Sequence, residues 1–285
     1  MTLEPIDLQH NGHERTIASY LLDTDDGPAI FDCGPTTTVA ALEAGLERHG
    51  LALRDVRHLL LSHIHLDHAG AAGVLVRKHP GLQVHVSEIG APHLVDPSRL
   101  EHSARRLYGD AFDLLWGELA PVPEQNIQVV GDRVLGLDCF PSPGHATHHV
   151  CYLDRDGTLY AGDAAGVRIT PGRYVVPPTP PPEIDVDAWE RTIAELEDRS
   201  PERLAVVHFG VFDDVQRHLA DLRLELYDWA DHVRGGASEE EFISYVLAEL
   251  GNAGERVEDY DAAMPLWQSY RGLARWAQQQ LPTDA

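Results

Sequence analysis

The segment Leu61-Ser-His-Ile-His-Leu-Asp-His-Ala-Gly70 constrains this 285-residue chain more than any other. It places His63, His65, Asp67 and His68, four metal-capable side chains, within six residues. Leading into it runs Val56-Arg-His-Leu-Leu-Leu-Ser62, short and nearly all apolar, whose last two residues open the segment. Such a run suits a strand buried on both faces. His63 and His65 sit two apart at its exit, so their side chains can converge on one side. Asp67 and His68 follow as the chain turns into a helix. Imidazole and carboxylate are borderline-hard donors, suited to zinc and also to iron or manganese. A fold is therefore needed in which a doubly covered strand opens into a polar cleft.

The surrounding sequence supplies alternating strands and helices. Thr16-Ile-Ala-Ser-Tyr-Leu-Leu, the turn Asp23–Gly27 and Pro28-Ala-Ile-Phe-Asp read as a hairpin. Val39–His49 reads as a helix with a Thr N-cap and Gly50 as its stop. Ala69–His79 reads as one helix closed by Pro80-Gly81, followed by a strand at Gln83-Val-His-Val. Residues 90–125 interrupt this rhythm. Their amphipathic stretch Ser98–Leu119 predicts a helical insertion or lid. Strands are expected again at 127–130, 134–140, 149–153 and 158–161, with a helix over 186–198 and a strand at Leu204-Ala-Val-Val. Six prolines within 171–182 predict a stiff loop. The expected organisation is a catalytic unit over 1–212 and a C-terminal helical extension, 213–285, packed on the same domain. Trp229, Trp267 and Trp276 in that extension are expected in the core or at the contact of a homodimer.

Three more ligand-type residues follow strands: His145 in Ser142-Pro-Gly-His, Asp163 in Tyr160-Ala-Gly-Asp, and His208 in Val206-Val-His. A lone His or Asp in such a place is usually structural. Three of them added to the first cluster, each at a strand's C-terminal end, are hard to explain except as one site. Composition narrows the partner. Asp plus Glu number 46 against 22 Lys plus Arg, a formal net charge of −24. That argues against nucleic acid or an anionic membrane and leaves a small-molecule substrate. Met1–His10 has neither a basic start nor an apolar run, and Cys33, Cys139 and Cys151 form no CxxC pair. Both features predict a cytoplasmic protein.

His63-x-His65-x-Asp67-His68, then His145, Asp163 and His208, resembles the metallo-β-lactamase superfamily. Ser-Pro-Gly-His and Ala-Gly-Asp bring it nearest the glyoxalase II-like branch. The resemblance covers residues of about 10 to 212. It implies an α/β fold, an αββα sandwich of two mixed sheets with outer helices. It also implies two divalent metal ions, zinc foremost with iron or manganese as alternatives. One site would hold His63, His65 and His145, the other Asp67, His68 and His208, with Asp163 bridging both. The implied chemistry is hydrolysis of a thioester, lactone or other ester, with Asp67 orienting the attacking water and moving its proton. A mononuclear iron enzyme akin to persulfide dioxygenases, using His63, His145 and Asp163, is the alternative; a non-catalytic metal-binding protein is the third reading. Relatives read Gly-His-Thr-Pro-Gly-His where this chain has Gly144-His-Ala-Thr-His-His149. His148 and His149 are expected to pack around the site rather than ligate. Arg168, Arg173 and Tyr174 are candidate contacts for an anionic substrate.

Overall fold

The computed structural model describes residues 3–280. Met1 and Thr2, where the stretch read for a targeting signal begins, lie outside them, as do residues 281–285. Twelve strands form two six-stranded mixed sheets among the described residues. The first contains β1 (Pro5–Asp7), β2 (Ala18–Thr24), β3 (Gly27–Phe31), β4 (His58–Leu60), β5 (Gln83–Val86) and β6 (Ile127–Val129), in that order. β1 to β3 pair antiparallel, and β3 to β6 parallel. The second contains β7 (Arg133–Val134), β8 (Leu137–Pro141), β9 (Val150–Leu153), β10 (Thr158–Tyr160), β11 (Arg203–Val206) and β12 (Gly210–Phe212). There only β10 and β11 run parallel.

The two sheets face each other through aromatic contacts. Phe31 of β3 meets Tyr152 of β9 and Tyr160 of β10, with ring centroids 5.9 and 5.5 Å apart. The hydroxyls of these apolar-bodied tyrosines need partners once buried. Tyr20 donates to Val206 O and Gly210 O, and Tyr152 donates to Leu61 O. Each bond ties one sheet to the other.

The helices are α1 (Val39–Arg48), α2 (Leu66–Ala69), α3 (Ala72–Lys78), α4 (Ala91–Val95), α5 (Ser98–Tyr108), α6 (Phe112–Leu115), α7 (Val186–Arg199), α8 (Val215–Arg234), α9 (Glu239–Asn252), α10 (Val257–Ala263) and α11 (Leu266–Gln279). Asp185 caps α7 by accepting from Ala188 N at 2.9 Å. Ser238 and Glu241 form a capping box at the start of α9. Leu219, Leu222, Leu226 and Trp229 of α8, Phe242 of α9 and Trp276 of α11 belong to the same continuous buried cluster as the sheet residues. No helix among the described residues is long and apolar enough to cross a membrane.

Four local expectations are corrected. The helix expected over Ala69–His79 is broken, because Gly70 and Ala71 separate α2 from α3. The strand expected over Val134–Phe140 is a hairpin. Leu135 and Gly136 both take positive φ, 52° and 89°, the backbone of a tight two-residue turn. The amphipathic stretch Ser98–Leu119 is not one helix, since Gly109 at φ 55° ends α5. Thr38 stands at the start of α1, but its hydroxyl donates back to Pro35 O instead of capping.

Candidate metal centre

The seven ligand-type residues converge at one edge of the sandwich. Each is delivered by the segment that follows a strand: His63 and His65 after β4, Asp67 and His68 in the helix α2 that comes next, His145 after β8, Asp163 after β10 and His208 after β11. Three imidazole nitrogens form a triangle. His63 Nε2 lies 2.9 Å from His65 Nδ1, and His145 Nε2 lies 3.2 and 2.9 Å from those two atoms. Ligands about 2.0 Å from a tetrahedral ion are separated by about 3.3 Å, so this triangle fits one face of such a site. Asp67, His68 and His208 form a second group, with His208 Nε2 3.4 Å from Asp67 Oδ2.

Asp163 stands between the groups. Its Oδ2 is 3.3 Å from His145 Nε2, and its Oδ1 is 3.3 Å from His68 Nε2 and 3.7 Å from His208 Nε2. Asp163 Oδ1 and His68 Nε2 are buried, and neither has a hydrogen-bond partner among the described residues. Two orphaned polar atoms facing each other inside a closed site are costly unless a third group lies between them. A cation there satisfies both, and the donor set of imidazole and carboxylate suits it.

The ring orientations are fixed from behind. His68 Nδ1 donates to Asp32 Oδ2 at 2.7 Å, which turns Nε2 toward the site. Asp32 also accepts from the backbone N and the hydroxyl of Ser62, and Ser62 Oγ reaches His63 Nδ1 at 2.9 Å. His145 Nδ1 donates to Pro178 O at 2.8 Å, and His208 Nδ1 to Thr16 O. Gly162, at φ 49°, lets β10 approach closely: a Cβ there would lie 2.5 Å from Ser62 Cβ.

Charge divides the site in two. Burial pushes His63 and His65 well below the ordinary histidine range, leaving their nitrogen lone pairs free to ligate. Burial opposes ionisation of Asp163, but His68, His145 and His208 outweigh it and hold the carboxyl well below its usual range. His68 moves upward against its own burial, through Asp163, Asp67 and Asp32.

His148 and His149 stand outside all three of the metal-competent groups. His149 bonds Ser142 Oγ at 2.7 Å and receives the Asp163 backbone N–H at 3.2 Å, so it positions the Asp163 turn. His148 stacks 5.9 Å from His63 and faces Glu183. Asp32, Thr16 and Pro178 are functional supports that the motif reading missed. Asp32 has a sequence signal, an acid closing the apolar strand Ala29-Ile-Phe. The other two contribute backbone carbonyls and have none.

The insertion folds over this centre. A cavity of about 320 Å³ is lined by Asp67, Asp163 and His208 of the centre and by Leu100, Leu107 and Trp116 of the insertion, among others. The lid is tied down by Thr37 Oγ1 to Leu115 O at 2.8 Å and by His10 Nε2 to the same oxygen at 2.9 Å. The expected anion contacts are corrected. Arg168 pairs with Asp214 at 2.6 Å and lies over the Phe212 ring; neither it nor Arg173 nor Tyr174 lines the cavity.

Known proteins place this architecture. The family model of the metallo-β-lactamase superfamily matches residues 14–210, and the chain belongs to that superfamily. The uncharacterized protein YobT of Bacillus subtilis (strain 168) is 25% identical over 152 residues, 52% of this chain and 62% of that one. The lactamase-like protein adaB of Aspergillus niger is 28% identical over 148 residues, 51% of this chain and 38% of that one. The chain thus matches less than two thirds of either relative's length. Among solved structures, TTHA1429 of Thermus thermophilus, a metallo-β-lactamase family protein, aligns with a TM-score of 0.67 at 20% identity, over 98% of this chain and 93% of that one. The archaeal superfamily member ST1585 of Sulfolobus tokodaii aligns with a TM-score of 0.66 at 20% identity, over 91% and 93%. TTHA1623, solved in a di-iron-bound form, aligns with a TM-score of 0.57 at 24% identity, over 73% and 94%. At these identities the structures speak for the fold.

Proposed function

We propose that the protein is a dinuclear metal-dependent hydrolase of the glyoxalase II-like kind, acting on a thioester, lactone or other ester of a small molecule. The observation that carries this reading is the placement of Asp163, whose two oxygens face two different histidine groups. His63, His65 and His145 would hold one ion; Asp67, His68 and His208 the other; Asp163 would touch both. Zinc suits the set best, with iron or manganese as alternatives. Bound divalent cations supply a water acidic enough to attack at neutral pH and a Lewis acid for the scissile carbonyl.

The chain's own residues do the rest. Asp67 is held ionised against its burial by His68 and His208. It reaches the cavity, where its carboxylate can orient the attacking water and accept its proton. Asp32 keeps His68 in one tautomer and one orientation. The lid excludes bulk water and receives the part of the substrate beyond the carbonyl. Free, buried Cys33, Cys139 and Cys151 agree with a cytoplasmic setting.

The test is metal analysis of purified protein together with a hydrolysis panel of thioesters, lactones and phosphodiesters. About two divalent ions per chain and turnover of carboxylic esters or thioesters are expected. One iron per chain, oxygen consumption with a persulfide and no hydrolysis would replace this reading with the mononuclear one.

A further inference from the structure

Resting on the hydrolase reading, we propose a substrate class: a neutral ester, thioester or lactone whose apolar substituent lies beneath the lid. The cavity holds about 320 Å³, the size of a small-molecule site. One end is the catalytic edge. Beyond it apolar side chains predominate, Leu100, Ala104 and Leu107 of α5 with Leu115, Trp116 and Met264, among a few polar ones such as His10, Ser103 and Gln268. The Tyr108 hydroxyl donates to Gln268 Oε1 at 3.2 Å, fastening α5 to α11 across this space.

Charge separates this class from the anionic alternatives. None of the described lining residues is Lys or Arg, and the exposed Asp261 stands among them. None of the lid's arginines, Arg99, Arg105 and Arg106, lines the cavity, and Arg105 pairs with Glu101 and Asp113 and lies over Phe112. An anionic tail entering here would give up hydration and meet no Lys or Arg, with the Asp261 carboxylate nearby. A neutral alkyl or aryl tail pays no such penalty and gains the burial of apolar surface.

A matched pair of substrates reads this directly. 4-Nitrophenyl hexanoate and the 4-nitrophenyl monoester of adipic acid share a leaving group and differ in the end of the tail, methyl against carboxylate. Full-length protein of measured metal content should favour the hexanoate in kcat/KM by about tenfold or more, chiefly through KM. Leu107→Arg places a cation in the lining without touching the metal centre, and should narrow or invert that preference. Leu107→Ala should keep it. Circular dichroism verifies that both variants fold. Equal or faster hydrolysis of the adipate ester by the wild type overturns the substrate class and leaves the hydrolase reading standing. Hydrolysis of neither ester, nor of any panel ester, sinks the hydrolase reading instead. Calorimetric titration with octanamide reads the cavity without turnover. Binding weakened about tenfold by Leu107→Arg is expected, and failure of the wild type to bind it overturns the inference whatever the turnover.

Discussion

Asp163 is the residue on which the dinuclear reading turns. Its carboxylate faces His145 through one oxygen and His68 and His208 through the other. Asp163→Asn keeps the size and removes one negative charge. The expected result is substoichiometric metal and a fall in kcat of several orders of magnitude, because two-metal activation supplies both nucleophile and electrophile. His148→Ala should leave metal content and turnover near the wild-type values, since the His148 ring stacks beside His63 without entering a ligand group. Metal analysis and turnover for the two variants side by side decide the matter. Two metals retained by Asp163→Asn, or metal stripped by His148→Ala, would overturn the assignment. The seven candidate ligands were legible because ligand chemistry demands particular side chains at strand exits. The supports were not: a carbonyl such as Pro178 O serves equally well from any residue type, so nothing in the sequence marks it.

Between the centre and the C-terminal helices stands the proline-rich loop, and one glycine sets how closely they approach. A Cβ on Gly272 of α11 would lie 1.9 Å from Thr179 O, next to Pro178, whose carbonyl holds His145. Ser269 on the same helix accepts from Thr179 Oγ1 through its carbonyl at 3.1 Å. Replacing a helical glycine by alanine ordinarily stabilises by up to about 1 kcal/mol. At Gly272 the clash is with backbone, which cannot rotate away, so Gly272→Ala should instead destabilise by about 1–3 kcal/mol. It should also weaken metal binding through the displaced loop. Gly251→Ala in α9, where a Cβ meets nothing within 4 Å, is the control and should be neutral or stabilising. Thermal melts and chelator competition on both variants test this; a raised Tm for Gly272→Ala would refute the docking. The strand–helix alternation was readable from hydrophobic patterning, as was the insertion. The breaks were not, because Leu135 in a positive-φ turn breaks local preference and is tolerated only in the tertiary context.

The whole molecule carries 17 histidines and a formal charge of −24, so its stability is expected to be strongly pH-dependent. Two histidines outside the seven candidate ligands allow the sign to be worked out. His85 in β5 is pushed down to about 4, first by burial and then by neighbouring His58. His218 in α8 is pushed down to about 4 by burial, against the pull of its bond to Ala165 O. In the unfolded chain both return to about 6.5. Between those values the unfolded state binds protons that the folded state refuses, so stability falls as pH falls from about 6.5 toward 4. Above about 7 both forms are neutral and this contribution is flat. At pH 5 each histidine should cost about 2 kcal/mol relative to pH 7.5. Urea unfolding of chelator-treated protein at both pH values measures the total. Subtracting the same difference for His85→Gln and His218→Gln together isolates their share, because the remaining histidines are common to both proteins. The double variant should lose less stability on acidification than the wild type. If the two proteins lose the same amount, these two rings are not held neutral by the fold, and the acid sensitivity belongs to other groups.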